Sequence, residues 1–516
     1  MIRRFTIGPT AVALCAAAVA ALSLLPFVYL VAAGFSFGDI RELFGYPTTV
    51  PIIVRTIALT VVVAALSIIF GVLAASLVVR TNLPFPALFT VLFAMPLAIP
   101  GFVSSYAVYS ASLTYLPESR FVTTFTGAAL ILALSLYPYV FLPCVIALRN
   151  ADPGQEEVAR ALGYRGLHAF LRVTVSQLRP ALAAGVLIVS LHVLAEYGAM
   201  VQLGQKTLTT TIMVEIRDYG DYRSARSLAM LLTVISLGAL LTNRWFAGRT
   251  HRASGAGTVR PPNRWKMGRW RPAVVLGASL IPLAAVAPTL LMTTRGLINA
   301  GRGPGVAWPT LASAVTNTLI YAVAAAAVAT IAALPVSWWV SRRPSLAAQV
   351  TERSVWLAHA IPNAILGLAL VFLATRLLPD LYKTPALLVI AYVILFLPLA
   401  VSNQRVGLQA ALVSYDEVAA SLGSRPWRTF TRISLPLALP GMLTGALLVA
   451  LDSSKELTST LMLLPFGSQT LATGLWSTTN GESLDFVAAS PYALLMVLLG
   501  SIPVFLIVRR TIRDIA

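Results

Sequence analysis

The sequence predicts an all-α polytopic membrane protein of about twelve transmembrane helices, built as two homologous six-helix halves. Three observations predict it: an apolar composition with little charge, a dozen apolar runs of spanning length, and an internal repeat. Of 516 residues, 58% are hydrophobic and 11% charged, and the mean hydropathy is +0.81. A soluble chain carries roughly a quarter charged residues. A cytosolic enzyme, a disulfide scaffold and a disordered chain are therefore excluded, and the solvent that suits this surface is lipid.

About 20 apolar residues cross a bilayer as a helix, and Thr60 to Val79 is such a run without a charge. Comparable runs lie near 10–33, 52–79, 86–112, 124–148, 180–200 and 227–247, then near 273–294, 312–340, 354–375, 384–402, 437–451 and 487–508. Arg3 and Arg4 precede the first run, as in a signal peptide. That run exceeds a signal core, and Val12-Ala13-Leu14-Cys15 is a poor lipoprotein cleavage site, so it reads as a span.

With the N-terminus placed inside and sides alternating, the inner segments hold 26 basic residues against 11 outside. This is the positive-inside pattern. It accounts for the net charge of +19 without nucleic acid and places both termini in the cytoplasm. Cys15 and Cys144 lie in apolar runs, which disfavours a disulfide or a thiolate metal cluster. The four lysines, Lys206, Lys266, Lys383 and Lys455, never follow a glycine, so the chain carries no phosphate-binding loop of its own.

The repeat is direct. Glu157-Val-Ala-Arg-Ala-Leu-Gly163 returns as Glu417-Val-Ala-Ala-Ser-Leu-Gly423. The same offset pairs Phe170 with Phe430, Arg172 with Arg432, Pro180 with Pro440, Gly185 with Gly445 and Glu196 with Glu456; a slightly larger one pairs Arg80 with Arg342 and Pro100 with Pro362. The halves are 1–247 and 272–516, joined by a polar stretch, 248–271, and an even span count gives them the same orientation.

Each half has one long inner loop, 149–179 and 403–436. Asp152-Pro153-Gly154-Gln155 offers a helix N-cap followed by proline, and Ser414-Tyr-Asp-Glu417 is a capping box. Gly163 and Gly423 suit the left-handed turn that ends a helix. A second short helix follows, stopping in the later half at Leu435-Pro436. Each loop reads as a helix–glycine–helix elbow below the membrane.

The spacing Glu-x-Ala, glycine, then Ile-x-Leu-Pro resembles the cytoplasmic loop signature of ABC importer permeases. The second half fits throughout, with Glu417, Ala419, Gly423, Ile433, Leu435 and Pro436; the first has Glu157, Ala159 and Gly163, with Val173, Val175 and Ser176 in the exit positions. The tail from Lys455-Glu456 to Gln469-Thr470-Leu471-Ala472, and Ala488-Ala-Ser-Pro-Tyr-Ala-Leu, resemble ferric-iron transporter permeases, as do Glu196-Tyr-Gly-Ala, Thr207-Leu-Thr-Thr-Thr-Ile and the Ala-Ile-Pro segments at Pro100 and Pro362. Where that family often has Pro-Gly, the chain has Pro362-Asn363.

The resemblance implies a subunit of the bacterial cytoplasmic membrane that catalyses no bond chemistry and binds no cofactor. Its elbows would dock on two copies of a cytoplasmic ATPase that uses ATP. Its cargo would be ferric iron, delivered by an extracytoplasmic binding protein and released inside by alternating access. Thiamine and polyamine permeases share the architecture. An ion-driven secondary transporter, the rival class, would need no ATPase and no paired elbows.

Glu196 and Glu456 are candidates for the translocation pathway, since ionisable groups at membrane depth are costly and usually face a cavity. Either carboxylate could meet a passing hard cation; equally, Glu196 could cap a bend at Tyr197-Gly198 and Glu456 could pair with Lys455. Pro100 and Pro362 break helices within apolar runs, as pathway residues or as packing kinks. His192 and His359 read as hydrogen-bonded interior residues, and Tyr106, Tyr109 and Tyr115 as ordinary interfacial aromatics. No metal site is assigned.

Overall fold

The computed structural model describes residues 9–34, 37–151, 153–164, 166–247, 264–300, 307–343, 345–359, 361–410, 413–480 and 485–513. Among them the regular structure is helical; Thr81 and Trp265 make an isolated parallel bridge. Among the described residues eight helices are long and apolar enough to cross a membrane. Counting each of four bent pairs as one span gives up to twelve, and all coincide with the apolar runs of the sequence. Helices suit this solvent because each satisfies its own backbone, which lipid cannot do.

The bent pairs are Pro86–Ala98 with Gly101–Tyr115, Phe125–Leu136 with Pro138–Arg149, Phe170–Gln177 with Arg179–Ala195, and Leu346–Ala358 with Asn363–Leu377. The first and last turn by 92° and 98°, each at the residues before a proline, Pro100 or Pro362. Both prolines have φ and ψ near −57° and +142° and sit at the N-cap of the outgoing helix. Proline without an N–H loses nothing there, because the first helical donors have no partner anyway. The run expected over 180–200 is also interrupted: its helix ends at Ala195, and a short helix, Gly198–Gln202, restarts after Glu196-Tyr197.

The chain divides into two compact units that do not follow the sequence halves. One contains residues 1–39 and 307–474, the other 40–306 and 475–516. The first unit packs Pro9–Gly34, Trp308–Arg342, Pro385–Ala410 and Leu435–Lys455 around Ala325, Ala329, Ala333, Leu388, Ala391 and Val449. Small residues let the helices approach closely: a Cβ on Gly445 would lie 3.2 Å from Ala400 Cα. In the other unit, Gly185 holds the equivalent place, and a Cβ there would lie 2.9 Å from the Tyr139 carbonyl oxygen. The repeat thus preserved two helix crossings through one glycine each. Elsewhere in that unit Tyr106 stacks on Phe486, ring centroids 5.5 Å apart, and donates to its carbonyl at 2.7 Å.

Candidate functional site

The first elbow begins with the helix Pro153–Ala161, proline in the first position; Asp152 lies outside the described residues. Gly163 follows at φ +91°. Its N–H donates to Arg160 O at 3.0 Å, and the next N–H, of Tyr164, reaches back to Ala159 O at 3.1 Å, the double bond pattern of a left-handed helix ending. Ala159 is buried. Glu157 is on the exposed face, next to Val158, which is followed one turn later by Leu162, 75% exposed.

The second elbow repeats this. Val413–Ser421 leads to Gly423 at φ +77°, and Ser424 N donates to the carbonyl of buried Ala419 at 2.9 Å. Val418 is exposed, as is Leu422 at 81%. The helix starts at Val413, one residue before Ser414, so Ser414 is inside the helix and not its N-cap as the capping box requires. The side chains of Ser414 and Glu417 lie outside the described residues.

The exits differ between the repeats. After Pro426–Thr429, a π-helical turn, Phe430–Ser434, runs straight into Leu435–Lys455, and 427–455 forms one span. The second arm therefore does not stop at Leu435-Pro436. Pro436 falls in the first turn of the new helix, where its missing N–H costs nothing, and Ile433 lies within the π turn. In the first repeat the π turn Phe170–Thr174 is followed by a 69° bend ahead of Arg179–Ala195. This is the half that lacks Ile-x-Leu-Pro.

Each elbow is tied to the membrane helices by an acid that sequence reasoning passed over. Glu156, next to Glu157, is buried and pairs with Arg80 at the end of Thr49–Arg80; it also accepts from Thr174 Oγ1 at 2.9 Å and from Arg160. Its counterpart Asp416 meets Arg342 Nε at 2.9 Å and Ser434 Oγ at 2.9 Å. The signal was present: Arg80 and Arg342 repeat, and so do the acid and the hydroxyl beside each elbow.

At the broken helices the structure brings the other candidates together. Glu196 Oε1 accepts from Ala199 N at 2.9 Å, capping the short helix after the break, and a Cβ on Gly101 would lie 3.3 Å from its Oε2. Glu456 Oε1 accepts from Ser459 N at 2.9 Å, and its other oxygen accepts from the Asn363 amide. Each carboxylate thus stands at the residue following Pro100 or Pro362. The bend-capping role expected of Glu196 is present, and Glu456 shares it.

Residues 67–251 and 328–515 each match the family described as the binding-protein-dependent transport system inner membrane component, which together covers most of the chain. The chain belongs to this family. The permease is 30% identical to the Fe(3+)-transport system permease protein FbpB 2 of Haemophilus influenzae over 488 residues, 94% of this chain and 95% of that one. It is 28% identical to the chloroplastic sulfate permease 2 of Chlamydomonas reinhardtii over 48% of its own length and 69% of the relative's. The molybdate/tungstate permease WtpB of Thermococcus kodakarensis is 26% identical over 39% of this chain and 78% of that one. A multi-pass inner-membrane permease with two family repeats accounts for the fold and the paired elbows alike.

The remaining candidates fall outside these clusters. His192 bonds Tyr139 OH at 3.3 Å and Ile188 O at 2.9 Å, yet it is exposed on the permease surface and so not interior. The His359 side chain lies outside the described residues. Among the described residues no three His, Cys, Asp or Glu side chains form a group able to hold a metal, and Cys15 and Cys144 are free thiols. Tyr115 lies under Arg295.

Proposed function

We propose that this permease is the membrane subunit of an ATP-driven importer and that its two elbows are the docking knobs for two copies of a cytoplasmic ATPase. The observation that carries the reading is the sidedness of each elbow helix. Ala159 or Ala419 and an acid face the protein, while an apolar pair one turn apart, Val158 with Leu162 and Val418 with Leu422, faces away from it. Exposed apolar residues on a helix outside the spans need a partner surface more than a solvent. In this reading ATP is used by the partner, the chain holds no cofactor, and both termini lie in the cytoplasm. The four variants Val158→Glu, Leu162→Glu, Val418→Glu and Leu422→Glu combined should abolish co-purification of the ATPase while the permease still inserts. Undiminished co-purification would exclude the docking role.

Ferric iron, delivered by an extracytoplasmic binding protein, is the proposed cargo. The iron-transport relative matches the permease end to end, through both repeats, whereas the sulfate and molybdate relatives above match less than half of it. Glu196, Glu456, Pro100 and Pro362 are proposed to line the route, because each glutamate stands at a sharply broken helix, Glu196 beside the residue after Pro100 and Glu456 beside the residue after Pro362. Uptake measured in cells lacking their own ferric importer, with iron, sulfate and molybdate offered in turn, tests this. Accumulation of either oxyanion without iron would reassign the cargo.

A further inference from the structure

The two elbows are braced by the same set of groups, with one exception. Arg80 and Arg342, Glu156 and Asp416, Thr174 and Ser434, Phe170 and Phe430 are repeat equivalents in like positions. In the second repeat an indole completes the set from within the same helix. Trp338 lies one turn before Arg342, which sits 5.2 Å from the ring centroid, and the ring meets Phe430 edge-on at 5.0 Å. At the equivalent place in the first repeat stands Ser76, which supplies no ring. The missing indole comes instead from Trp265, in the stretch between the halves. Arg80 lies 5.9 Å from its centroid, and its ring meets Phe170 edge-on at 5.3 Å.

The backbone around Trp265 is anchored independently of the ring. Its N–H donates to Arg80 O at 2.6 Å, its carbonyl accepts from Asn82 N at 3.3 Å, and Met267 N donates to Asn82 Oδ1 at 3.0 Å. This segment makes the isolated bridge to Thr81. The joint between the halves therefore does more than connect them.

We infer that Trp265 is a positioning residue: through Arg80 and Phe170 it holds the first elbow in place, the task Trp338 performs for the second. The inference concerns how the elbow is held; that the elbow couples to an ATPase rests on the function proposed above.

The experiment is hydrogen–deuterium exchange on the full-length permease in lipid nanodiscs. Loss of a cation–π contact and an aromatic edge should raise exchange of the 153–164 amides by about tenfold in Trp265→Ala. Amides of 413–424 should stay at the wild-type rate, since the ring beside Arg342 and Phe430 is that of Trp338. Trp265→Phe, which keeps a ring over Arg80, should restore most of the protection, and Trp338→Ala should show the converse pattern. Unchanged exchange at 153–164 in Trp265→Ala, or an equal rise in both elbows, would overturn the inference. With the partner ATPase added, Trp265→Ala should also lower ATP turnover severalfold. Raised exchange with full turnover supports the brace and removes the coupling role of the elbow, so the two readings fail separately.

Discussion

Asn363, the first residue of the outgoing helix at the 98° break, donates its side-chain amide to the carboxylate of Glu456, which follows the helix Leu435–Lys455. In the first repeat Gly101 stands in the same place beside Glu196 and has no side chain to offer. The two glutamates therefore share a capping role but differ in what truncation leaves behind.

Glu456→Ala should strand the Ser459 N–H and the Asn363 amide, at about 1–3 kcal/mol for each donor left buried. Glu196→Ala strands the Ala199 N–H, so its loss of thermal stability in detergent should be the smaller. Glu456→Gln keeps an acceptor for Ser459, and the Asn363 amide can turn to present its oxygen to the new NH₂. Its melting point should stay close to wild type, so that any fall in uptake then reports the lost charge. A Glu456→Ala protein as stable as wild type would dismiss the cap.

Gly163 and Gly423 give a cleaner test of backbone conformation, because a Cβ at either would have nothing within 4 Å. A side chain there costs strain alone, about 1–2 kcal/mol for the left-handed conformation. Asparagine tolerates that region and valine resists it. Gly423→Asn should preserve ATPase-coupled uptake and Gly423→Val should impair it, with membrane insertion normal in both. Equal activity of the two would show that the turn has no part in docking.

The twelve apolar runs and both elbow glycines were legible because lipid burial and a positive φ leave strong composition signals. The exit of the second elbow was not. Pro436 looks like a stop, yet a π turn lets the helix pass beneath it and places the proline where no N–H is needed. Glu156 and Asp416 escaped notice because a motif directs attention to the neighbouring glutamate, and only contact with Arg80 and Arg342 singles out the acid that ties each elbow to the membrane helices. Trp265 was unreadable in principle, since its partners Arg80 and Phe170 stand in distant parts of the sequence, and the neighbouring Asn82–Met267 bond spans 185 residues. Nor did the repeat reveal that the first helix, Pro9–Gly34, belongs to the compact unit of the second half.

The charge distribution predicts the sidedness, which has a direct measurement. Reporter fusions after Ala151 and Val413 should be active in the cytoplasm, and fusions after Leu203 and Gly467 should be active outside. The latter two lie in turns after the short helices Gly198–Gln202 and Thr458–Leu463, at the end of the broken spans. An external signal at either elbow would remove both the topology and the ATPase partnership.

The two ion pairs that hold the elbows should differ in cost. Arg80 and Glu156 have side chains 2% and 5% exposed, against 9% and 25% for Arg342 and Asp416. Removing one partner of a fully buried pair strands a charge and costs about 3–5 kcal/mol, whereas water can solvate a partly exposed survivor. Arg80→Gln should therefore lower the melting temperature in nanodiscs clearly more than Arg342→Gln. Glu156 would keep Arg160 and Thr174, so the loss should fall toward the lower end of that range. The paired variant Arg80→Met, Glu156→Gln leaves no unpaired charge in the buried contact, only Arg160, 37% exposed, without its carboxylate; it retains an acceptor for Thr174 and should recover most of the stability lost in Arg80→Gln. Recovery of stability without recovery of ATPase-coupled turnover would separate the two contributions of the contact: the neutral pair packs, but it no longer fixes the elbow's direction. If Arg342→Gln proves the more damaging, burial does not rank these contacts and the second elbow is the more dependent on its arginine.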